Sequence, residues 1–328
     1  MHARRVCFIE QGRVEIETVD VGPPSAGEVL IEAICSVISP GTELANLHAR
    51  PNTPCTFPMT SGYCLCGRVL EVGAGVDEFR KGQIVVSDVP HASLTTVPAE
   101  VCRAVPDGLA PSRAATYVLV AISLQGVRKA GVQLGDSLAV IGLGVIGNLA
   151  AQLCRAAGAT LVTGVDPMSW RRALAQRCGA DRTAAVAADV DRPRHPVRGE
   201  GFDIVIEATG HPEPIVDALQ LARRLGRVVL LGSTRGPTSK VNFYRDVHHK
   251  GLTVVGAHAW ARTNVEDVGH LRTRESEQLT SLDLLAARRV DVDPLISDTM
   301  PANEAPRAFG RLSAADEPLM TIALDWTA

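Results

Sequence analysis

The stretch SLAVIGLGVIGNLAAQLCRAAG, residues 137–158, decides how this chain is read. Its first five residues are a continuous apolar run, the pattern of a strand buried on both faces of a parallel sheet. Gly142, Gly144 and Gly147 follow at G-x-G-x-x-G spacing, and NLAAQLCRAAG continues with helical periodicity. Gly142 permits the tight turn, Gly144 lets the backbone approach a pyrophosphate, and Gly147 lets helix and strand pack closely. Val145 and Ile146 open the helix, whose free N–H groups and positive dipole end face the phosphates. Asp166 ends the next apolar strand. A carboxylate there accepts hydrogen bonds from ribose hydroxyls and repels a 2′-phosphate, so the expected cofactor is NAD(H). Arg171 and Arg172, one turn further on, keep ribose contact and NADP(H) open.

Downstream, TLVTGVD (160–166), DIVIEATG (203–210), RVVLLGS (227–233) and LTVVGAH (252–258) are further buried-strand runs. SWRRALAQRCG and PEPIVDALQLARRLG between them have helical periodicity with Gly at the end. This alternation implies a doubly wound parallel sheet. Before about Pro111 the chain instead reads as short strands (VEIETV, EVLIEAI, GRVLEVG, QIVVSDV, SLTTVPA) punctuated by turn residues, an antiparallel, mostly β domain. Beyond residue 262 come a polar loop, a helix (SLDLLAARRV) and a last strand (LMTIALDW).

The composition suits this two-domain reading of 328 residues: 46% hydrophobic and 21% charged excludes disorder. Thirty-three basic against 36 acidic residues leave a net charge of −3, which offers no footprint for nucleic acid or an anionic membrane. No apolar leader stretch opens the chain. The longest apolar run, Leu138 to Leu153, is interrupted by glycines and short for a span, so a cytoplasmic protein is expected. The eight cysteines (7, 35, 55, 64, 66, 102, 154, 178) include no pair at zinc-ribbon spacing.

With these residues placed, the chain resembles the medium-chain dehydrogenase/reductase superfamily, the alcohol dehydrogenase relatives. The resemblance runs through Gly41-Thr42-Glu43, GRVLEVGAGVDEFRKGQIV (67–85), HASLTTVPAEVCRAVPDGL (91–109), the glycine-rich segment, IVIEATG, GRVVLLG, KGLTVVGAH and DPLIS…EAPRAFGRL, in the family's order. It implies an α/β fold: a Rossmann doubly wound parallel sheet (121–261) inserted into a mostly β, GroES-like catalytic domain split between 1–120 and 262–328. It also implies Ala208, Thr209 and Gly232 beneath the nicotinamide half, a small-molecule substrate, and a homodimer through LTVVGAH.

Zinc-dependent members hold the metal with a Cys before the Gly-Thr pair, a His in a Gly-His-Glu triplet and a later Cys or Glu. Here those places read Ser39-Pro40, Gly62-Tyr63-Cys64 and Thr116-Tyr117-Val118. Catalytic zinc needs three ligands from Cys, His, Asp and Glu, which Ser, Tyr and Val do not supply. Only Cys35, Cys64, Cys66 and His91 remain to improvise a site. The chain is therefore similar to a zinc-independent branch, resembling bacteriochlorophyllide hydroxyethyl dehydrogenases in its Gly-Thr-Glu and Gly-Tyr motifs, and no zinc is expected.

Without a Lewis acid, a hydrogen-bond donor must polarise the substrate oxygen and a side chain must move its proton. Tyr63 stands in the metal-ligating His position. Thr42 holds the family's hydroxyl relay position. Glu43 is either a structural partner of a neighbouring group or a base, and His91 either a proton-transfer imidazole or a solvated loop residue. Trp260 and Tyr117 read as pocket walls or core. The expectation is an NAD(H)-dependent oxidoreductase interconverting a secondary alcohol and a ketone on a polyol, cyclitol or specialised metabolite. The alternative is an NAD(P)H-dependent reductase of an activated C=C bond.

Overall fold

A six-stranded, all-parallel sheet carries the glycine motif in the computed structural model, which describes residues 1–54, 56–263, 266–269 and 271–328. Its order is Arg182–Ala184, Leu161–Val165, Ser137–Ile141, Phe202–Glu207, Ala222–Leu230, Thr253–Gly256. That is a doubly wound order, with the sheet's first strand in chain order, Ser137–Ile141, at the centre and the direction of winding reversed beside it. Every residue of Phe202–Glu207 is buried, as a strand covered on both faces requires. Helices Val145–Ala156, Ser169–Arg177 and Pro214–Leu221 connect the strands.

One helix is shorter than its periodicity predicts. PEPIVDALQLARRLG leaves the helix at Leu221, and Ala222–Leu230 is strand. The cause is local. Arg223 Nε donates to Asp203 Oδ1 at 2.7 Å, and a Cβ on Gly226 would lie 2.9 Å from the Arg223 carbonyl and 3.2 Å from those of Phe202 and Asp203. The segment is thus clamped to the neighbouring strand before a further helical turn can form.

The other sheets are largely antiparallel. Seven strands, among them Glu28–Val37, Leu65–Val72 and Thr321–Asp325, form one sheet, and His2–Glu10, Arg13–Asp20 and Met59–Thr60 form another. Their core gathers Phe8, Ile31, Leu65, Phe309, Ile322, Leu324 and Trp326, with Phe8 and Phe309 packed edge to face at 5.2 Å.

Contacts divide the chain into two units: Met1–Val118 with Gln278–Arg288 and Val292–Ala328, and Leu119–Glu277 with Arg289–Asp291. Residues 262–277 fall with the second. Among the described residues, no helix is long and apolar enough to cross a membrane. The seven described cysteines are free thiols, while Cys55 lies outside the described residues.

Candidate active site

In the first unit, the strand Glu28–Val37 runs into Ser39, which is the N-cap of helix Pro40–Leu47. Proline at the first helical position needs no N–H partner, so the helix starts cleanly there. One turn in, Glu43 is buried, only 1% exposed. Its Oε1 accepts the Ser39 backbone N–H at 2.6 Å; its Oε2 accepts the Ser61 hydroxyl at 2.5 Å and faces His91 Nε2 at 3.0 Å. His91 Nδ1 lies 2.8 Å from Ser36 Oγ, which also accepts the Trp326 indole N–H at 2.9 Å. An indole N–H only donates. The neutral tautomer that satisfies every group therefore has Ser36 donating to Nδ1 and Nε2–H donating to Glu43.

The loop carrying Tyr63 is shaped around this imidazole. Gly62 has φ +102°, and a Cβ there would fall 2.5 Å from His91 Cδ2. The next residue, Tyr63, donates its phenolic O–H to Ser39 Oγ at 2.5 Å and also hydrogen-bonds Thr42. Burial pushes the phenol well above its ordinary pKa, with the charges of Cys64 and Glu43 adding to the effect and the Ser39 and Thr42 bonds opposing it. Tyr63 is a neutral phenol at any ordinary pH. With its proton donated to Ser39, its oxygen still accepts a hydrogen bond, the capacity needed to take up a proton while passing its own on.

Tyr63, Thr42, Glu43 and His91 thus come together. His91 is not a solvated loop residue: it is fully buried and held at both ring nitrogens. Glu43 ties three segments together, as the structural alternative for it expects. Ser36, Ser39, Ser61 and Trp326 complete the cluster and were not expected in it. Ser39 had a legible signal, a serine preceding proline at a helix start, but it reads there as a cap. Other histidines and aromatic residues lie elsewhere. His48 Nε2 is 3.0 Å from Ser313 Oγ, His258 Nδ1 accepts the Trp260 backbone N–H, and the His248 and His249 rings lie tilted 5.6 and 6.4 Å from Tyr244. Tyr117 is fully buried and Trp260 is 81% exposed.

The residues at the zinc-ligand positions do not fit a metal. Among the described residues no three His, Cys, Asp or Glu side chains gather as a metal-holding group. His91 is engaged by Glu43 and Ser36, and Cys35 stands opposite Cys66 on the adjacent strand. The Cys66 thiol is hydrogen-bonded to Cys35 and is buried, and both effects raise its pKa away from the thiolate a metal needs.

The second unit presents an anion cradle. Gly142 (φ +88°) makes the turn after Ser137–Ile141; a Cβ on it would lie 2.8 Å from Thr209 Cγ2. A Cβ on Gly147 would lie 1.8 Å from the Gly142 carbonyl oxygen, so only glycine lets this helix close on its strand. Gly144 caps helix Val145–Ala156 without a side-chain bond, and open space lies before it. The Val145 and Ile146 N–H groups open that helix, as an approaching phosphate requires. Asp166 is buried: Oδ2 accepts the Leu143 N–H and Oδ1 the Met168 N–H, both at 2.9 Å. Arg171 lies 3.6 Å from Asp166 and over the Trp170 ring, while Arg172 holds the Asp166 and Pro167 carbonyls. Ala208, Thr209 and Gly232 converge at neighbouring strand ends, where a Cβ on Gly232 would meet the Gly210 nitrogen at 2.6 Å. Thr209 N donates to the buried Glu207 at 2.7 Å.

Known proteins similar to this chain include dehydrogenases. The zinc-binding dehydrogenase family matches residues 145–271. D-guloside 3-dehydrogenase of Escherichia coli K12 is 28% identical over 253 residues, covering 76% of this chain and 72% of the relative. L-threonine 3-dehydrogenase of Bacillus velezensis is 30% identical over 222 residues, covering 66% and 60%. A solved structure described as a zinc-binding dehydrogenase of Sinorhizobium meliloti 1021, bound to NADP, superposes with TM-score 0.83 at 25% identity over 99% of each chain. The fold is that of the medium-chain alcohol dehydrogenases, and the matches support placing the chain in that zinc-binding-type superfamily.

Gly62→Ala should destabilise the protein by roughly 2–3 kcal/mol, because the new Cβ meets both a left-handed backbone and the His91 ring. Urea unfolding measures this; an unchanged midpoint would mean that the ring does not lie beneath the Tyr63 loop.

Proposed function

We propose that the protein is a nicotinamide-dependent oxidoreductase that interconverts a secondary alcohol and a ketone on a polyol, cyclitol or specialised-metabolite substrate, without zinc. The observation that carries this reading is the Tyr63 phenol, standing where a metal ligand is expected and hydrogen-bonded to Ser39 and Thr42 over a buried Glu43–His91 pair. The dehydrogenase relatives favour alcohol chemistry over reduction of a C=C bond. When bound, the nicotinamide supplies the hydride acceptor or donor. Tyr63 bonds the substrate oxygen and exchanges its proton, Thr42 orients the phenol, and Glu43 with His91 holds both in place.

Gly142, Gly144, Val145, Ile146 and Gly147 hold the pyrophosphate in this reading, and Ala208, Thr209 and Gly232 leave room for the nicotinamide half. Asp166 and Arg171 meet the adenosine ribose. Asp166 favours NAD(H), since its buried carboxylate repels a 2′-phosphate; Arg171 is what leaves NADP(H) a weaker option. The strand Thr253–Gly256 pairs only with Ala222–Leu230 among the described strands and is largely exposed. We take it as the homodimer seam, because an open strand edge needs cover. The free, mostly buried cysteines suit the reducing cytoplasm.

Tyr63→Phe removes one hydroxyl and should lower kcat by about 10²–10³-fold while the Kd for NADH, read by fluorescence, stays within about twofold. Unchanged turnover removes Tyr63 from the chemistry. Asp166→Ala should raise KM for NAD⁺ and shift preference towards NADP⁺. If neither constant moves, the ribose contact lies elsewhere.

A further inference from the structure

Ser39 occupies the N-cap of Pro40–Leu47, a position where serine ordinarily turns its hydroxyl back onto the backbone N–H groups of the first turn. It makes no such bond. Its Oγ instead accepts the Tyr63 phenolic proton at 2.5 Å, and its backbone N–H is pinned to Glu43 Oε1 at 2.6 Å. The residue is 5% exposed, so the hydroxyl has little freedom to swing away. A good cap has been given up for a short bond to one phenol.

This bond has a direction. With Tyr63 donating to Ser39, the phenol turns its lone pairs, not its proton, to whatever else approaches its oxygen. A phenol that stays neutral cannot act as a phenolate base. It can take a proton only if it passes its own proton on in the same step.

We propose that Ser39 is a positioning residue for the reaction, the hydroxyl that receives the Tyr63 proton so that Tyr63 can receive the substrate's; this rests on the alcohol–ketone reading above. In alcohol oxidation the carbon loses its hydride to the nicotinamide and the C–O bond becomes C=O. The substrate O–H proton moves to Tyr63 Oη, the proton on Tyr63 moves to Ser39 Oγ, and the Ser39 proton leaves to a solvent water. Ketone reduction runs the same shift backwards, with water returning the proton. No step leaves a phenolate or an alkoxide, the charge that zinc stabilises in metal-dependent enzymes.

The test is a double-mutant cycle on the intact protein: wild type, Ser39→Ala, Tyr63→Phe and the double variant, with Ser39→Thr as the conservative control. NADH binding is measured on each to show that the fold and the cradle persist. Ser39→Ala should lower kcat about tenfold or more, with KM nearly unchanged, and should shift the pH profile of kcat. The double variant should be no slower than Tyr63→Phe alone, because the two hydroxyls act as one unit. Ser39→Thr, which keeps the hydroxyl, should recover most of the rate. Losses that multiply in the double variant, an unmoved pH profile, or a Ser39→Ala effect confined to KM would overturn the proposal while leaving the reaction assignment standing. If wild-type protein binds NADH yet turns over no alcohol or ketone, the reaction assignment itself falls, and this proposal with it.

Discussion

The buried carboxylate of Glu43 is the constraint on which the candidate site depends. Taking a charged group out of water is costly, and a protein tolerates it only when the oxygens are fully met by donors. Glu43 meets a backbone N–H from Ser39, a hydroxyl from Ser61 and an imidazole from His91. Those donors lie on three separate segments, so satisfying one carboxylate fixes all three relative to each other. Tyr63 follows Ser61 by two residues and bonds Ser39, and Thr42 precedes Glu43 on the same helix. Their spacing is thus a consequence of where the charge is buried.

The second unit uses the same device. Asp166 is buried and accepts the N–H groups of Leu143 and Met168, which locks the glycine turn to the end of the neighbouring strand. Asp203 does so at the opposite end of the sheet. Burial alone would raise its pKa, but bonds from Ser137 and Arg223 and the charge of Arg198 hold it at about 2. In each place the buried acid fastens separate segments of the chain. A carboxylate oxygen accepts more than one hydrogen bond, so this fastening leaves Asp166 able to take the ribose contact proposed for it.

The parallel sheet was legible because its signal is local. A buried strand, a glycine turn and a helix lie within 22 consecutive residues (137–158), and Gly142 and Gly147 each meet a steric demand there. The helix end at Leu221 was not legible, because the clamp that ends it comes from Asp203 on another strand. The candidate site was half legible. Tyr63, Thr42 and Glu43 stand out by position in a resemblance. The burial of His91 depends on Ser36 and Trp326, a partner 290 residues further along, and no periodicity connects them. Ser39 was visible as a missing cysteine and as a helix cap; its bond to Tyr63, across 24 residues of chain, was not.

In the proposed reaction, hydroxyl hydrogen bonds do what zinc does in metal-dependent enzymes. The residues at the ligand positions are Ser39, Tyr63 and Val118, and Glu43 and His91, which have the chemistry to bind a metal, are engaged with each other. The most direct test is elemental analysis of the purified enzyme alongside its turnover before and after exhaustive chelation. The account predicts zinc well below one per chain and turnover unaffected by chelation. Stoichiometric zinc, lost together with activity and restored with it, would contradict it.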